Sequence, residues 1–119
     1  MTVINVTRNT LLADRCQFAN SFWSRLIGLL GRKTITEGEG LLLDRCQAIH
    51  TNGMRFPLDV LSLDKDLRIL RTIENLQPFR IRILTNAAFV LELPTATINR
   101  TQTVVGDKVE FRDDYPATR

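Results

Sequence analysis

The sequence predicts a predominantly antiparallel β domain, barrel- or sandwich-like, with one main α-helix packed against it, and therefore a single α+β domain. Three observations support this class. Apolar and polar residues alternate with period two along most of the chain, turn signals recur about every ten residues, and only the segment Asn20–Gly31 shows helical spacing. Many short strands with few crossover helices favour antiparallel pairing.

The first two strands are predicted to form a hairpin. Thr2–Arg8 and Leu11–Phe18 are both β-rich, and Asn9-Thr10 lies between them. Because Asn is a frequent turn residue, we expect the chain to reverse at this dipeptide.

The middle of the chain contains three further strands. Leu41–Leu43 is a short apolar strand that follows the turn Gly38-Glu39-Gly40. Leu58–Leu63 and Leu67–Glu74 flank Asp64-Lys65-Asp66, which is a turn signal between two β-rich runs.

The segment Phe79–Leu84 alternates cleanly between apolar and charged residues. One face carries Phe79, Ile81 and Ile83, and the other carries Arg80 and Arg82. This pattern predicts an antiparallel strand with one face in solvent.

Two more strands are predicted toward the C-terminus. The first has an inward face formed by Phe89, Leu91 and Leu93, and it ends at Pro94. The second is Lys108–Arg112, which closes the series.

One segment departs from period two and predicts the main helix. In Asn20–Gly31 the apolar residues at i, i+3, i+4 and i+7 are Trp23, Leu26, Ile27 and Leu30. Asn20 or Ser21 can cap the start of this helix, and Gly31 can end it. A second, short helix is predicted over Thr95–Thr101.

Length and composition indicate one globular domain. The chain has 119 residues, of which 44% are hydrophobic and 24% are charged, and these proportions exclude disordered and fibrous classes. We expect a single β-rich domain over residues 1–112 and a disordered tail over residues 113–119. No apolar run approaches the roughly 18 residues of a membrane span.

Charge and cysteine content argue against several partners and compartments. The formal net charge is +3, and the arginines are dispersed rather than clustered, so we expect no nucleic-acid partner. The N-terminus lacks the pattern of a signal peptide, which predicts a cytoplasmic protein with reduced thiols. A disulfide between Cys16 and Cys46 remains an open alternative, because sequence does not give their separation.

Chemically reactive residue types are densest between Asp44 and Asp59. This stretch holds the single histidine and one of the two cysteines. One hypothesis is an enzyme with Cys46 as nucleophile, His50 as base and Asp59 as the residue that orients the base. The alternative is that Cys46 is a small buried hydrophobic residue, as free cysteines usually are.

A binding module for a small polar or anionic ligand, or for a partner segment, is the leading hypothesis for the same stretch. Its candidate ligand-binding residues are His50, Thr51, Asn52, Met54, Arg55 and Asp59. Asp59 shares a strand face with Leu61 and Leu63, where a carboxylate needs a partner. In the structural alternative, Asp59 accepts backbone N–H groups of its own turn or pairs with an arginine, and His50 braces a bend.

No metal or other cofactor is predicted. Cys46 and His50, with Cys16 or Asp59, could supply ligands, but the chain has only three Cys and His residues, whereas structural zinc normally takes four. The Gly38–Gly40 segment lacks the third glycine and the following helix of a nucleotide-binding loop.

A third hypothesis is a protein-interaction domain whose exposed sheet edge takes a strand from another protein. The partner is then an unknown protein rather than an unknown small molecule. The sequence does not determine the oligomeric state.

Four blocks of the sequence resemble the family called domain of unknown function 192. The blocks are Asn20–Arg32; Gly38–Leu43; Cys46, Ile49–Thr51, Met54, Phe56–Asp59 and Leu63-Asp64; and Val90–Pro94 with Val105–Asp107. The resemblance runs from about Asn5 to Phe111. It implies a single β-rich domain of a family found mainly in bacteria and archaea, with many exported members and no established activity. Two departures are Leu30, where the family often has Met, and Asn52-Gly53, where many members carry bulky aromatic residues.

Overall fold

Alternating side chains and frequent turns give ten short strands and one short helix in the computed structural model, which describes residues 1–19, 34–44 and 47–113. The elements are β1 (Thr2–Asn5), β2 (Thr10–Ala13), β3 (Arg15–Ala19), β4 (Glu39–Asp44), β5 (Ala48–His50), β6 (Leu58–Leu63), β7 (Ile69–Leu76), β8 (Ile81–Ile83), β9 (Phe89–Leu93), α1 (Thr97–Thr101) and β10 (Val109–Arg112). The main helix predicted over Asn20–Gly31 lies outside the described residues, as do Cys46 and residues 114–119 of the predicted tail.

The strands form three sheets. The central sheet has five strands in the order β3-β4-β9-β6-β7, a three-stranded sheet has the order β10-β1-β2, and β5 and β8 form a two-stranded ribbon. All described pairings are antiparallel except that of β3 with β4, which is parallel. The described strands stack in layers and do not close into a barrel, so the predicted β-rich, sandwich-like class is confirmed.

Both faces of the central sheet are buried. One face packs against the three-stranded sheet and α1, through a cluster that includes Leu42, Leu61, Leu63, Leu91, Leu93, Val3, Leu12, Val109 and Ile98. The other face packs against the ribbon and its loops, through Leu41, Leu43, Leu58, Val60, Val90, Ile35, Ile49, Met54, Phe56, Leu84 and Ala87. The radius of gyration is 13.3 Å, close to the roughly 13.5 Å expected of a compact domain of this length.

The predicted N-terminal hairpin is present, but its turn and second strand differ from the prediction. The turn covers residues 6–9 rather than Asn9-Thr10, and the segment predicted as one strand is divided at Asp14 into β2 and β3. The backbone N–H groups of Asp14 and Arg15 both donate to the Gly38 carbonyl oxygen, at 2.9 Å each. This bend moves the chain from the three-stranded sheet to the central sheet, as corners in stacked sheets commonly do.

The parallel pairing of β3 with β4 was also not predicted. Parallel neighbours need a connection of about a dozen residues or more. Residues 20–38 lie between β3 and β4 and are long enough to provide it. The predominantly antiparallel sheet therefore has one parallel pair among its described strands, at this edge.

The remaining predicted strands are confirmed, with shifts of at most two residues at their ends. β4, β6, β7, β9 and β10 lie where alternation placed them, and the short helix predicted over Thr95–Thr101 is α1. Leu67, predicted as a strand residue, instead has a left-handed φ of 65° in the turn before β7. No helix within the described ranges is long and apolar enough to cross a membrane.

A buried polar cluster joins β1 to the loop before β10. The Asp107 Oδ2 atom accepts hydrogen bonds from Asn5 Nδ2, Arg8 Nε and the Val104 backbone N–H, each at 3.0 Å. The Asn5 amide also donates to Thr103 Oγ1 at 3.0 Å. Burial raises the pKa of Asp107, but the hydrogen bonds from Asn5, Val104 and Arg8 and the Arg8 charge outweigh it and hold the pKa below its ordinary value.

Replacing Asp107 with Asn should reduce the free energy of unfolding by about 1–3 kcal/mol at pH 7, because a buried charge-assisted network is lost. The folded-state pKa is lowered, so this stabilisation is present above the ordinary pKa and is lost as pH falls through the folded value. Urea unfolding at pH 7, 5 and 3 should show the difference between the two proteins narrowing below about pH 4. Asp113→Asn, at an exposed position, is the control, and a difference that stays constant with pH would contradict the assignment.

Candidate functional site

His50 lies at the end of β5, in the two-stranded ribbon. In the antiparallel register His50 is opposite Ile81, and Ile49 is opposite Arg82. Directly opposed residues share a face of a ribbon. Because Ile49 is 4% exposed and belongs to the core, half-buried His50 and exposed Ile81 lie on the outer face.

The segment after His50 forms the predicted turn. The Met54 backbone N–H donates to the Thr51 carbonyl oxygen at 3.2 Å, which closes a four-residue turn. Gly53 occupies the third position with a φ of 83°, a conformation in which glycine is favoured. Met54 is buried in the core, whereas Asn52, Gly53 and Arg55 are exposed. Of the predicted ligand-binding residues in this segment, Met54 is therefore anchored in the core, and Asn52 and Arg55 are exposed at the surface.

Thr51 is fully buried and joins this turn to the chain that precedes β8. Its Oγ1 donates to the Gln77 carbonyl oxygen at 2.7 Å and accepts from the Arg80 backbone N–H at 2.9 Å. Its backbone N–H donates to the Arg80 carbonyl oxygen at 2.9 Å, and its carbonyl oxygen accepts from the Phe79 N–H at 3.1 Å. The single hydroxyl proton of Thr51 is therefore used in a bond inside the protein, and Thr51 acts as a structural link between the two segments.

Asp59 is also fully buried, and its carboxylate binds two backbone N–H groups. Oδ1 accepts from Asn75 at 2.9 Å, and Oδ2 accepts from Ile98 at 2.9 Å. Asn75 has a left-handed φ of 55° in β7, and Ile98 lies in the first turn of α1. The acceptor role matches the structural alternative drawn from the sequence, but the donors come from two distant segments rather than from the turn of Asp59 itself.

The structure does not bring Asp59 to His50. As expected from alternation, Asp59 points to the same face of the central sheet as Leu61, where α1 packs. The ribbon packs on the opposite face, through Ile49 against the cluster that contains Leu58. The carboxylate of Asp59 thus holds β7 and α1 and does not orient the imidazole. Cys46 lies outside the described residues, so its role as a nucleophile stays a prediction.

Within the described ranges, no three His, Cys, Asp or Glu side chains are grouped closely enough to hold a metal ion. Cys16 is 5% exposed, on the face of the central sheet that meets the three-stranded sheet, and its Sγ donates to the Gln17 carbonyl oxygen at 3.7 Å.

The most exposed large apolar side chains of the described residues lie together on β8 and just before it. Phe79, Ile81 and Ile83 are 69%, 64% and 63% exposed. We call these three residues the ribbon face. Alternation correctly separates Ile81 and Ile83 from Arg82, but the structure places the apolar side outward. Phe79, predicted as a strand residue, instead lies in the bend before β8 with a left-handed φ of 61°. The reason is the pairing with β5, because buried Ile49 fixes which side of the ribbon meets the core.

The ribbon and its flanking loops are basic. Residues 47–58 and 75–91 contain three arginines, Arg55, Arg80 and Arg82, and no Asp or Glu. Arg82 Nη1 donates to the Ile81 carbonyl oxygen at 2.9 Å, and Arg71 Nη1 donates to the Ile83 carbonyl oxygen at 3.2 Å. Among the described residues, none of these four arginines forms an ion pair with a carboxylate.

Comparison with known proteins assigns the chain to a family. Residues 3–111 match the model of DUF192, a family described as an uncharacterised ACR. The chain belongs to the DUF192 family. No functionally curated protein matches it.

Two solved structures share the DUF192 fold of this chain. One is a protein of unknown function from Novosphingobium aromaticivorans DSM 12444, with 23% identity and a TM-score of 0.78, in which 92% of this chain aligns with 82% of that one. The other, from Sinorhizobium meliloti 1021, is described as a candidate transcription regulator, with 26% identity, a TM-score of 0.77, and coverage of 92% and 89%.

The DUF192 sheet also contains a carboxylate that sequence reasoning did not single out. Glu92 lies in β9, is fully buried, and has Leu41 and Val60 as its neighbours in the ladder. Glu92 lies between Leu91 and Leu93, which point to the core, so period-two alternation predicts that Glu92 faces solvent. It is buried because β9 is the middle strand of a sheet that is covered on both faces. The available signal was a single acid within the apolar run Val90–Leu93.

Replacing Asp59 with Asn should lower the free energy of unfolding by about 2–3 kcal/mol, because an amide NH₂ would face a buried N–H donor. Asp64→Asn is a matched control, since Asp64 Oδ1 also accepts two backbone N–H groups, at 2.8 and 2.9 Å, but in a partly exposed turn where water can substitute. Urea unfolding should show a loss below about 1 kcal/mol for the control. Equal losses in the two variants would contradict the role given to burial.

Replacing Thr51 with Val should cost about 1–3 kcal/mol, because Gln77 and Arg80 lose their side-chain partner inside the protein. The backbone amide of Arg80 should also exchange faster with solvent. Thr51→Ser keeps the hydroxyl and is expected to restore most of both quantities. A serine variant as unstable as the valine variant would show that the methyl group, not the hydroxyl, matters.

Proposed function

We propose that this DUF192 domain is a binding module that takes an extended segment of a partner protein on the β5–β8 ribbon. The observation that carries the proposal is the ribbon face: Phe79, Ile81 and Ile83 are each more than 60% exposed, Ile81 and Ile83 share one face of β8, and Phe79 lies in the bend just before it. Single exposed apolar residues are normal on protein surfaces, whereas a contiguous apolar row commonly marks an interaction site.

The position of the ribbon supports the same conclusion. His50, the one histidine of the chain, is half-buried on the outer side opposite Ile81. The leading sequence hypothesis placed a partner segment or a small ligand at the surface from His50 to Asp59. A partner segment along the ribbon keeps His50 and exposed Asn52 and Arg55 near the contact, whereas Asp59 serves the other side of the sheet.

A small polar ligand has less support from the described geometry. Such a pocket would need Thr51 and Asp59 to offer hydrogen-bonding groups to the ligand. The Thr51 hydroxyl already donates its proton to the Gln77 carbonyl oxygen, and both carboxylate oxygens of Asp59 already accept hydrogen bonds from backbone N–H groups. A ligand would have to displace these buried bonds, which is unfavourable.

A nucleic-acid partner is the alternative suggested by the description of the Sinorhizobium relative. The arginines near the ribbon suit phosphate groups, but the ribbon face carries two isoleucines where a nucleic-acid platform typically carries stacking aromatics. The apolar row therefore favours a polypeptide.

Ile81→Asp should abolish binding of peptides selected against the wild-type domain, since a charge would stand in the middle of the ribbon face. Val105→Asp is the matched control, because Val105 is 59% exposed on a different loop and Ile81 is 64% exposed. Random twelve-residue peptides displayed on phage would be selected on the wild-type domain and then measured on both variants. Enriched peptides that bind all three proteins equally, or no enrichment at all, would refute the proposal.

A further inference from the structure

The outer edge of β8 has backbone groups that face away from β5. The Thr51 N–H donates to the Arg80 carbonyl oxygen at 2.9 Å, and the Leu84 N–H donates to the Gln47 carbonyl oxygen at 2.7 Å. In an antiparallel ladder, residues that bond to the neighbour alternate with residues that point the other way. Since positions 80 and 84 bond toward β5, the N–H and carbonyl groups of Ile81 and Ile83 point to the opposite edge.

Two arginine side chains donate to the carbonyl oxygens of this edge, but they cannot satisfy its N–H groups. The Ile81 carbonyl oxygen accepts from Arg82, and the Ile83 carbonyl oxygen accepts from Arg71. The N–H groups of Ile81 and Ile83 meet no acceptor among the residues that the structure describes. An unpaired strand edge of this kind is a template for another strand.

On the basis of the function proposed above, we propose that the partner segment adds to β8 as a strand in which acidic residues alternate with apolar ones. The backbone of the added strand supplies acceptors to the Ile81 and Ile83 N–H groups and donors to their carbonyl oxygens. The donors replace the guanidinium groups, which become available to bind carboxylates of the incoming strand. Its apolar side chains then cover the ribbon face, because alternate residues of a strand share a face.

Charge determines which alternating strand fits. Arg71 and Arg82 donate to the carbonyl oxygens of the edge, and Arg80 donates to those of Pro78 and Phe79 just before β8. None of the three has a carboxylate partner within the described residues. Carboxylates on the incoming strand give opposite-charge pairs beside the ladder, whereas lysines at the same positions would repel the arginines. A second copy of β8 would bring the same arginines together, so self-pairing is disfavoured.

The backbone groups also argue against a lipid surface. Anionic headgroups suit the arginines, and acyl chains suit the ribbon face. Acyl chains, however, offer no acceptor to the N–H groups of Ile81 and Ile83, and leaving such groups unsatisfied in hydrocarbon is costly. A polypeptide strand satisfies both the apolar side chains and the polar edge.

The test uses the full chain, labelled with ¹⁵N, and three capped eight-residue peptides: alternating Val-Glu, alternating Val-Lys, and a block of four valines followed by four glutamates. The alternating acidic peptide should bind most tightly and should slow solvent exchange of the Ile81 and Ile83 amides. The block peptide has the same charge but cannot present one residue type on each face, so its binding should be weaker.

Arginine variants test the role of charge. Arg71→Gln and Arg82→Gln together should weaken binding of the Val-Glu peptide by about fivefold, the effect expected of two exposed ion pairs. Arg68→Gln is the matched control, because Arg68 also donates from Nη1 to a backbone carbonyl oxygen, that of Gly106, at 3.2 Å, and should leave binding unchanged. If the double variant is poorly folded, Arg71→Gln alone carries the comparison.

The outcomes separate this inference from the proposed function. Equal binding of the acidic and basic peptides at the ribbon would overturn the acidic partner and leave a ribbon that binds protein segments. Binding to vesicles containing phosphatidylglycerol, to single-stranded DNA or to a second copy of the chain, with no peptide effect on the Ile81 and Ile83 amides, would overturn strand addition. If no peptide, selected or synthetic, affects the ribbon at about 1 mM, both proposals are wrong.

Discussion

The five-stranded sheet is covered on both faces, and this constraint determines what each candidate residue can do. Successive residues of a strand point to opposite faces. In β6, Asp59 therefore points toward α1, and its neighbours Leu58 and Val60 point toward the ribbon. A shift of one residue in β6 would exchange these roles. The chemistry available at the ribbon is thus limited to what β5, β8 and their loops carry.

Buried carboxylates in this domain mostly organise backbone. Asp59 fixes the left-handed residue Asn75 and the first turn of α1, and Asp107 fixes the loop before β10 with help from Asn5. A buried carboxylate is costly unless hydrogen bonds compensate for the lost water. Here they do, because both Asp59 oxygens and Asp107 Oδ2 accept hydrogen bonds within the fold. The polar residues that the sequence grouped as one site therefore serve several local purposes, and the exposed apolar row becomes the distinctive surface.

Features set by local chemistry could be predicted from the sequence, and features set by distant pairing could not. The turn at Asp64–Asp66 and the face shared by Asp59 and Leu61 follow from neighbouring residues alone, and both are confirmed. The outward face of β8 depends on its register with β5, which lies more than thirty residues earlier in the chain and whose buried Ile49 orients the ribbon. Likewise, the partners of Asp59 come from β7 and α1, which alternation within β6 does not identify.

Because the β8 edge is small, the proposed partner strand needs contacts beyond the backbone hydrogen bonds. Three residues offer about four outward backbone hydrogen bonds, each with a net value of about 0.5–1.5 kcal/mol. Association costs about 4–15 kcal/mol in lost freedom, so these bonds alone do not hold a segment. The remaining binding free energy has to come from burying Phe79, Ile81 and Ile83 and from ion pairs between the arginines and the partner. An edge this short, protected by arginine side chains, also resists unspecific strand pairing. In the proposed complex, selectivity for the partner and resistance to unspecific pairing thus depend on the same residues.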